Sequence, residues 1–159
     1  MEENQLHFIP NIYYEDVPFT HECFLKARKC VKTSWLLNIY RKERPGSYTT
    51  NFSTENVENM SHAIGATWKL RTLEGLTREE LRKLEDDVYA TFTIFVYHTI
   101  SGIRKYSERN KTMDSLKAQA PDLSFTHGPR QRFTSFFIKY MPHLYINLFY
   151  LYAQIAYRH

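Results

Sequence analysis

The chain predicts an all-α protein: a single-domain bundle of four to six helices around a hydrophobic central helix, with an extended N-terminal arm. Three observations lead there. Gly and Pro number only 5 and 6 in 159 residues, too few for the closely spaced turns of a sandwich or barrel. Apolar residues recur three and four apart in four long stretches, which is the helical period. One of those stretches opens on a capping box, Thr77 with Glu80, a start signal peculiar to helices. The length suits one domain. A balance of 43% apolar and 24% charged residues is that of a globule that buries a core without disulfides or metals.

Residues 1–19 are expected to form the arm and residues 20–159 the helical domain. The arm holds Pro10 and Pro18 together with Leu6, Phe8, Ile9, Ile12, Tyr13 and Tyr14. It is too apolar for a solvated tail and should lie on the domain or on a neighbouring molecule. The first helix is expected over residues 20–43, with Thr20 as N-cap. Phe24, Ala27, Val31 and Trp35 are its apolar stripe, and "RPGSYTTN" is its stop. The second is expected over residues 54–72, capped by Ser53 or Thr54, with Val57, Met60, Ile64 and Trp68 on one face. Ser61 and Gly65 stand four apart, where another helix can approach closely. A mid-helix Gly costs about 1 kcal/mol relative to Ala, so a packing reason is expected for it.

The third helix has the strongest local signal. Leu76 and Leu81 occupy the positions of a hydrophobic staple around the Thr77 cap. Leu81, Leu84, Val88, Phe92, Phe95, Thr99 and Ile103 then hold one face. "TFTIFVYHTI" has the β-branched and aromatic composition of a strand. No turn residue separates it from the capped start, so it is assigned to the helix. Being apolar nearly all round at residues 92–100, this helix should be central. Residues 107–131 are read as loop, with one short helix near residues 113–119 stopped by Pro121. Gly128-Pro129 opens the last helical segment, since Pro suits the first helical position.

That last segment carries no Lys, Arg, Asp or Glu over residues 140–157, a run of 18. This is the lower limit for crossing a bilayer. Pro142, His143, Asn147, Gln154 and five tyrosines interrupt it, and polar groups are costly in lipid. A core helix is therefore expected, kinked or broken at Pro142. Phe133, Phe137, Tyr140, Leu144, Leu148, Leu151 and Ile155 should face inward, leaving Ile146, Phe149, Tyr150, Ala153 and Tyr157 for a partner to cover.

The composition also bounds function. Cys23 and Cys30, seven apart on a helix, would stand about 10 Å apart, beyond the reach of a disulfide. Two unpaired thiols suit a reducing compartment. "MEENQLHFIP" lacks the basic and apolar regions of a signal peptide, so the glycosylation-type triplets at Asn51, Asn59 and Asn110 read as chance matches. An intracellular site, cytoplasmic or nuclear, is expected. The seven histidines form no HExxH and no zinc spacing. His98 reads as a core residue, and Glu85, Asp86 and Asp87 as a solvated helix face. No phosphate-binding glycine motif occurs. No catalytic residue, metal, cofactor or small-molecule substrate is expected.

What remains is surface. With 12 Tyr and 11 Phe, the chain is rich in the residues that anchor protein interfaces. The expected function is non-enzymatic: an adaptor or scaffold domain that binds a partner helix or peptide, or a second copy of itself. Phe8, Ile12, Tyr13, Tyr14, Phe149, Tyr150 and Tyr157 are its candidate contacts, with basic residues selecting an acidic partner. The alternative is a nucleic-acid-binding domain using the basic face of residues 26–44, at a net charge of +4. Lys26, Lys29, Lys32, Arg41 and Lys42, with Arg130 and Arg132 at a helix N-terminus, would contact phosphates or another anion. Membrane association through the C-terminal segment is the least favoured reading.

Overall fold

Two helix starts in this chain are set by side-chain caps, and helix burial is set by which faces find a neighbour. The computed structural model describes residues 6–35 and 53–156. Among these residues all regular structure is helical: α1 (Asp16–Lys26), α2 (Thr54–Lys69) running into a 3-10 turn (Leu70–Thr72), α3 (Arg78–Gly102), α4 (Tyr106–Gln119), α5 (Pro129–Tyr140) and α6 (Pro142–Ala156). The expected all-α bundle is borne out, and residues 91–100 are helix, not strand.

The caps act as their residue types dictate. Ser53 Oγ accepts from the Asn56 N–H at 3.2 Å and starts α2. Thr77 and Glu80 form the reciprocal box at the start of α3, the Glu80 carboxylate accepting from the Thr77 N–H at 2.7 Å. The Thr77 hydroxyl, which donates to the same carboxylate at 2.7 Å, and then the Thr77 N–H hold the Glu80 carboxyl below its ordinary range.

Packing follows the predicted stripes on α2 and α3. Val57, Met60, Ile64 and Trp68 are buried, as are Leu84, Val88, Phe92, Phe95, Thr99 and Ile103; only Leu81 of that row is exposed. Phe92 and Phe95 lie at the centre and Phe125, from the α4–α5 connection, tilts onto Phe92 at 5.7 Å. α2 packs mainly on α4 and α3. Its Gly65 explains how α4 comes so close: a Cβ there would stand 2.7 Å from the Gln119 Cβ and 2.8 Å from the Gln119 carbonyl oxygen. One turn earlier the Ser61 and Ser115 hydroxyls are 2.8 Å apart.

Four expectations are corrected. The first helix begins at Asp16 and ends at Lys26, not at 20 and 43, and Ala27 is extended. Asp16 and Pro18 suit a first turn. Beyond Lys26 come Arg28, Lys29 and Lys32 with no acid to pair them, and Val31 and Thr33 are poor helix formers. Phe24, Val31 and Trp35 are exposed, so no packing offsets the weak propensity. Residues 36–43 lie outside the described residues. Secondly, the helix expected only near residues 113–119 within a loop runs over the whole of Tyr106–Gln119. The inward face of α4 is Arg109, Thr112, Met113 and Leu116. A cation and a hydroxyl in a buried row erase the hydropathy signal.

Thirdly, the segment breaks into α5 and α6 at Pro142, as the expected kink or break has it, but most of its predicted inward stripe is outside; of that row only Phe137 packs against the core. Met141, at φ −142°, interrupts the ladder before Pro142. Across that break the register rotates, so Ile146 is fully buried and Tyr145 nearly so. Phe133, Leu148, Leu151 and Ile155 are 57%, 48%, 56% and 74% exposed. Finally, the acidic run on α3 is not a plain solvated face. Glu85 accepts from the Thr126 backbone N–H, and Asp86 accepts from the Gln131 side-chain amide at 2.9 Å. His127 stands 3.4 Å from Asp86. Together they tie the α4–α5 connection to α3.

Candidate functional site

The rotation at Met141 has a chemical consequence. α6 packs against both α3 and α5, and a recess remains between the three helices. It consists of two adjoining cavities of ≈ 530 Å³ and ≈ 360 Å³. Both are walled by Phe133, Tyr145 and Phe149. The larger extends towards Tyr89, Thr93, Val96, Tyr97 and Ile100 of α3 and to Pro129 and Arg130 at the start of α5. The smaller runs along α6 to Leu148 and Tyr152. Outside the recess Phe136, Tyr140, Met141, Leu144, Leu151 and Ile155 are also exposed.

The walls are fixed by the aromatic side chains themselves. Tyr145 packs on Phe149 with ring centroids 4.6 Å apart, and Phe133 on Phe137 at 4.6 Å. Burial, partly offset by a hydrogen bond with Thr134, pushes the Tyr145 hydroxyl above its ordinary pKa, so it is a neutral group at physiological pH. No carboxylate, thiol or imidazole lines either cavity. What the recess offers chemically is apolar area, a few hydroxyls and the Arg130 guanidinium.

α6 is anchored from behind by a group that sequence reasoning did not single out. Arg109 of α4 is 5% exposed. It donates to Asn147 Oδ1 at 2.9 Å and to the carbonyls of Ile103 and Arg104 at 3.0 and 2.6 Å. Its guanidinium lies 3.7 Å from the centroid of the Tyr150 ring. Asn147 also donates to Asn110 Oδ1 at 2.9 Å. This network holds the polar side of α6 to α4, which leaves the Leu148–Leu151–Ile155 side facing out. The signal in the sequence was Asn147, the polar residue amid an apolar run.

The predicted contact residues fall into separate places. Phe149 lines both cavities; Tyr150 is half-buried beneath Arg109; Tyr157 lies outside the described residues, as do Arg41 and Lys42. The arm sits elsewhere. Phe8 is exposed and stacks on Phe19 at 4.0 Å, the Tyr13 N–H donates to Asn59 Oδ1 at 3.1 Å, and Tyr14 packs against the core. Ile12 is half-buried. None of these arm residues lines the recess. Among the predicted anion contacts, Lys26 pairs with Glu22 at 2.6 Å at the end of α1. Lys29 and Lys32 are exposed on non-helical chain, so a single basic helix face is not formed there. Arg130 opens into the larger cavity, whereas Arg132 donates to the Thr126 carbonyl at 3.0 Å.

Among the described residues no three His, Cys, Asp or Glu side chains gather as a metal-holding group, and no helix is long and apolar enough to cross a membrane. Comparison with protein-family models, with curated proteins and with solved structures returns no match.

Proposed function

We propose that this chain is a helical protein-binding domain whose working surface is the aromatic recess between α3, α5 and α6. The observation that carries the reading is the row of exposed large apolar side chains along α5 and α6, from Phe133 to Ile155. Soluble domains rarely leave such faces open except where something else covers them. Tyr and Phe dominate it, as they do at interface hot spots. Side chains of a partner would fill the two cavities and remove the exposed leucines from water.

The test is affinity capture with the whole chain against Leu148→Asp/Tyr152→Asp, both substitutions at exposed positions. Proteins retained by the wild type and lost with the folded variant, identified by mass spectrometry, are the expected result. A wild type that retains nothing the variant does not, while remaining monomeric by light scattering, contradicts the proposal.

A further inference from the structure

We infer that the chain following α1 is a cleavage site for an endoprotease specific for basic residues, with the peptide bonds after Arg28, Lys29 and Lys32 as its targets. The site is separate from the recess and does not depend on what fills it. An enzyme of this class needs two things from its substrate, and this stretch supplies both.

The first is accessible backbone. A scissile bond inside a helix is reached only when the helix opens, so its cleavage follows the small population of the open form. Nicking therefore concentrates where the backbone is already exposed and unpaired. α1 ends at Lys26, and Ala27 after it is extended at φ −74° and ψ 125°. Residues 27–35 have no regular structure, and every one of them is exposed. Among the described residues the one hydrogen bond of this stretch runs from the Trp35 N–H to the Thr33 hydroxyl, at 3.1 Å. Val31 and Trp35 are both 79% exposed, so neither apolar side chain anchors the stretch to the bundle.

The second is a cation before the scissile bond, which a protease pocket with a carboxylate at its base selects. Arg28, Lys29 and Lys32 place three such residues within five positions, and residues 23–42 carry no acid. The other cations of the chain lack the first requirement. Every other Lys and Arg among the described residues lies in a helix or in the 3-10 turn, except Arg104 and Lys105. There the Arg104 carbonyl accepts from the Arg109 guanidinium at 2.6 Å and the Lys105 carbonyl from the Arg109 N–H at 3.1 Å, which holds that short connection to α4. Hydrolysis adds one water across the peptide bond, leaving a carboxylate on the basic residue and an amine on the residue after it. The cut would sever the arm and α1 from all that follows. The core would stay whole, because its buried cluster begins at Val57 and draws on only the partly buried Tyr14 and Leu25 from the severed part.

The test is digestion of the whole chain by trypsin at a low enzyme ratio in native buffer, with the fragments followed over time by mass spectrometry. A synthetic peptide of residues 22–35 supplies the rate at the same bonds in free chain. Cleavage after Arg28, Lys29 or Lys32 in the protein should run within about tenfold of the peptide, and sub-denaturing urea should leave that ratio unchanged, since nothing has to open first. Cleavage within α2 to α6 should be slower than in the matching free peptides by about a thousandfold or more, as the folding equilibrium dictates, and should rise with urea. Rates at all three bonds more than about tenfold below the peptide's, rising with urea, would overturn the inference, because the stretch would then be covered in the folded protein. Cuts within α2 to α6 that appear before any at these three bonds would overturn it as well.

Discussion

The seam between α2 and α4 and the outer side of α5 and α6 are opposites. The seam joins a helix of modest hydropathy to one that hardly reads as amphipathic, yet it is sealed: Gly65 admits the Gln119 backbone, and Ser61 meets Ser115. The outer side belongs to the most apolar segment of the chain, yet Leu148, Leu151 and Ile155 face water. Apolarity states what a face would gain by burial. Whether it is buried depends on a neighbour close enough to cover it, and closeness is decided by small residues and by polar groups that find partners.

This contrast can be broken from the sealed side first. Phe92→Ala, at the point where α3 meets Phe125 and Tyr145, should cost about 3–5 kcal/mol in chemical denaturation, as large-to-small core changes do. Gly65→Ala should come next. The added methyl meets backbone atoms of Gln119 that cannot step aside, and overpacking of this kind costs about 1–3 kcal/mol. The helix-propensity gain of about 1 kcal/mol offsets part of that. A stabilised Gly65→Ala protein would show that α4 stands further off than the seam requires. Thr77→Ala removes the cap of α3 and should cost about 1 kcal/mol, read as a lower denaturation midpoint with an unchanged slope. On the open side, Leu151→Gln should shift stability by no more than about 0.5 kcal/mol. A loss near that of Phe92→Ala would mean the outer side is covered in the folded protein.

What could be read from the residues divides along the same line. The stripes of α2 and α3 and the caps at Ser53 and Thr77 were legible because local chemistry and burial agree there. α4 was hidden by its own content: a buried row of Arg109, Thr112, Met113 and Leu116 has the composition of a surface. The apolar period through Val31 and Trp35 predicts a longer first helix than forms, because a period does not reveal that those side chains stay exposed. In α6 nearly every position is apolar, so the period could not say which side turns inward. Asn147 decides it, by meeting Arg109 and Asn110 on α4. That inversion moved the candidate surface from the predicted arm-and-helix combination to the recess of α3, α5 and α6. Of the candidate contacts, Phe149 and Arg130 line it.

The pinning of α6 through Arg109 ties stability to the shape of the recess. A cation buried among neutral acceptors is worth keeping only if every donor is placed, since an unpaired buried charge is strongly destabilising. The network that holds α6 to α4 therefore also sets which α6 residues wall the cavities.

The central claim is that the apolar side of α5 and α6 is open in the free protein. Carbene footprinting of the monomeric whole chain, with the oligomeric state verified by light scattering in the same buffer, tests it most directly. Heavy labelling at Leu148, Leu151 and Ile155, with Phe92 and Ile64 protected, is the result this account predicts; protection of the three α6 residues at the level of Phe92 in a monomer would contradict it.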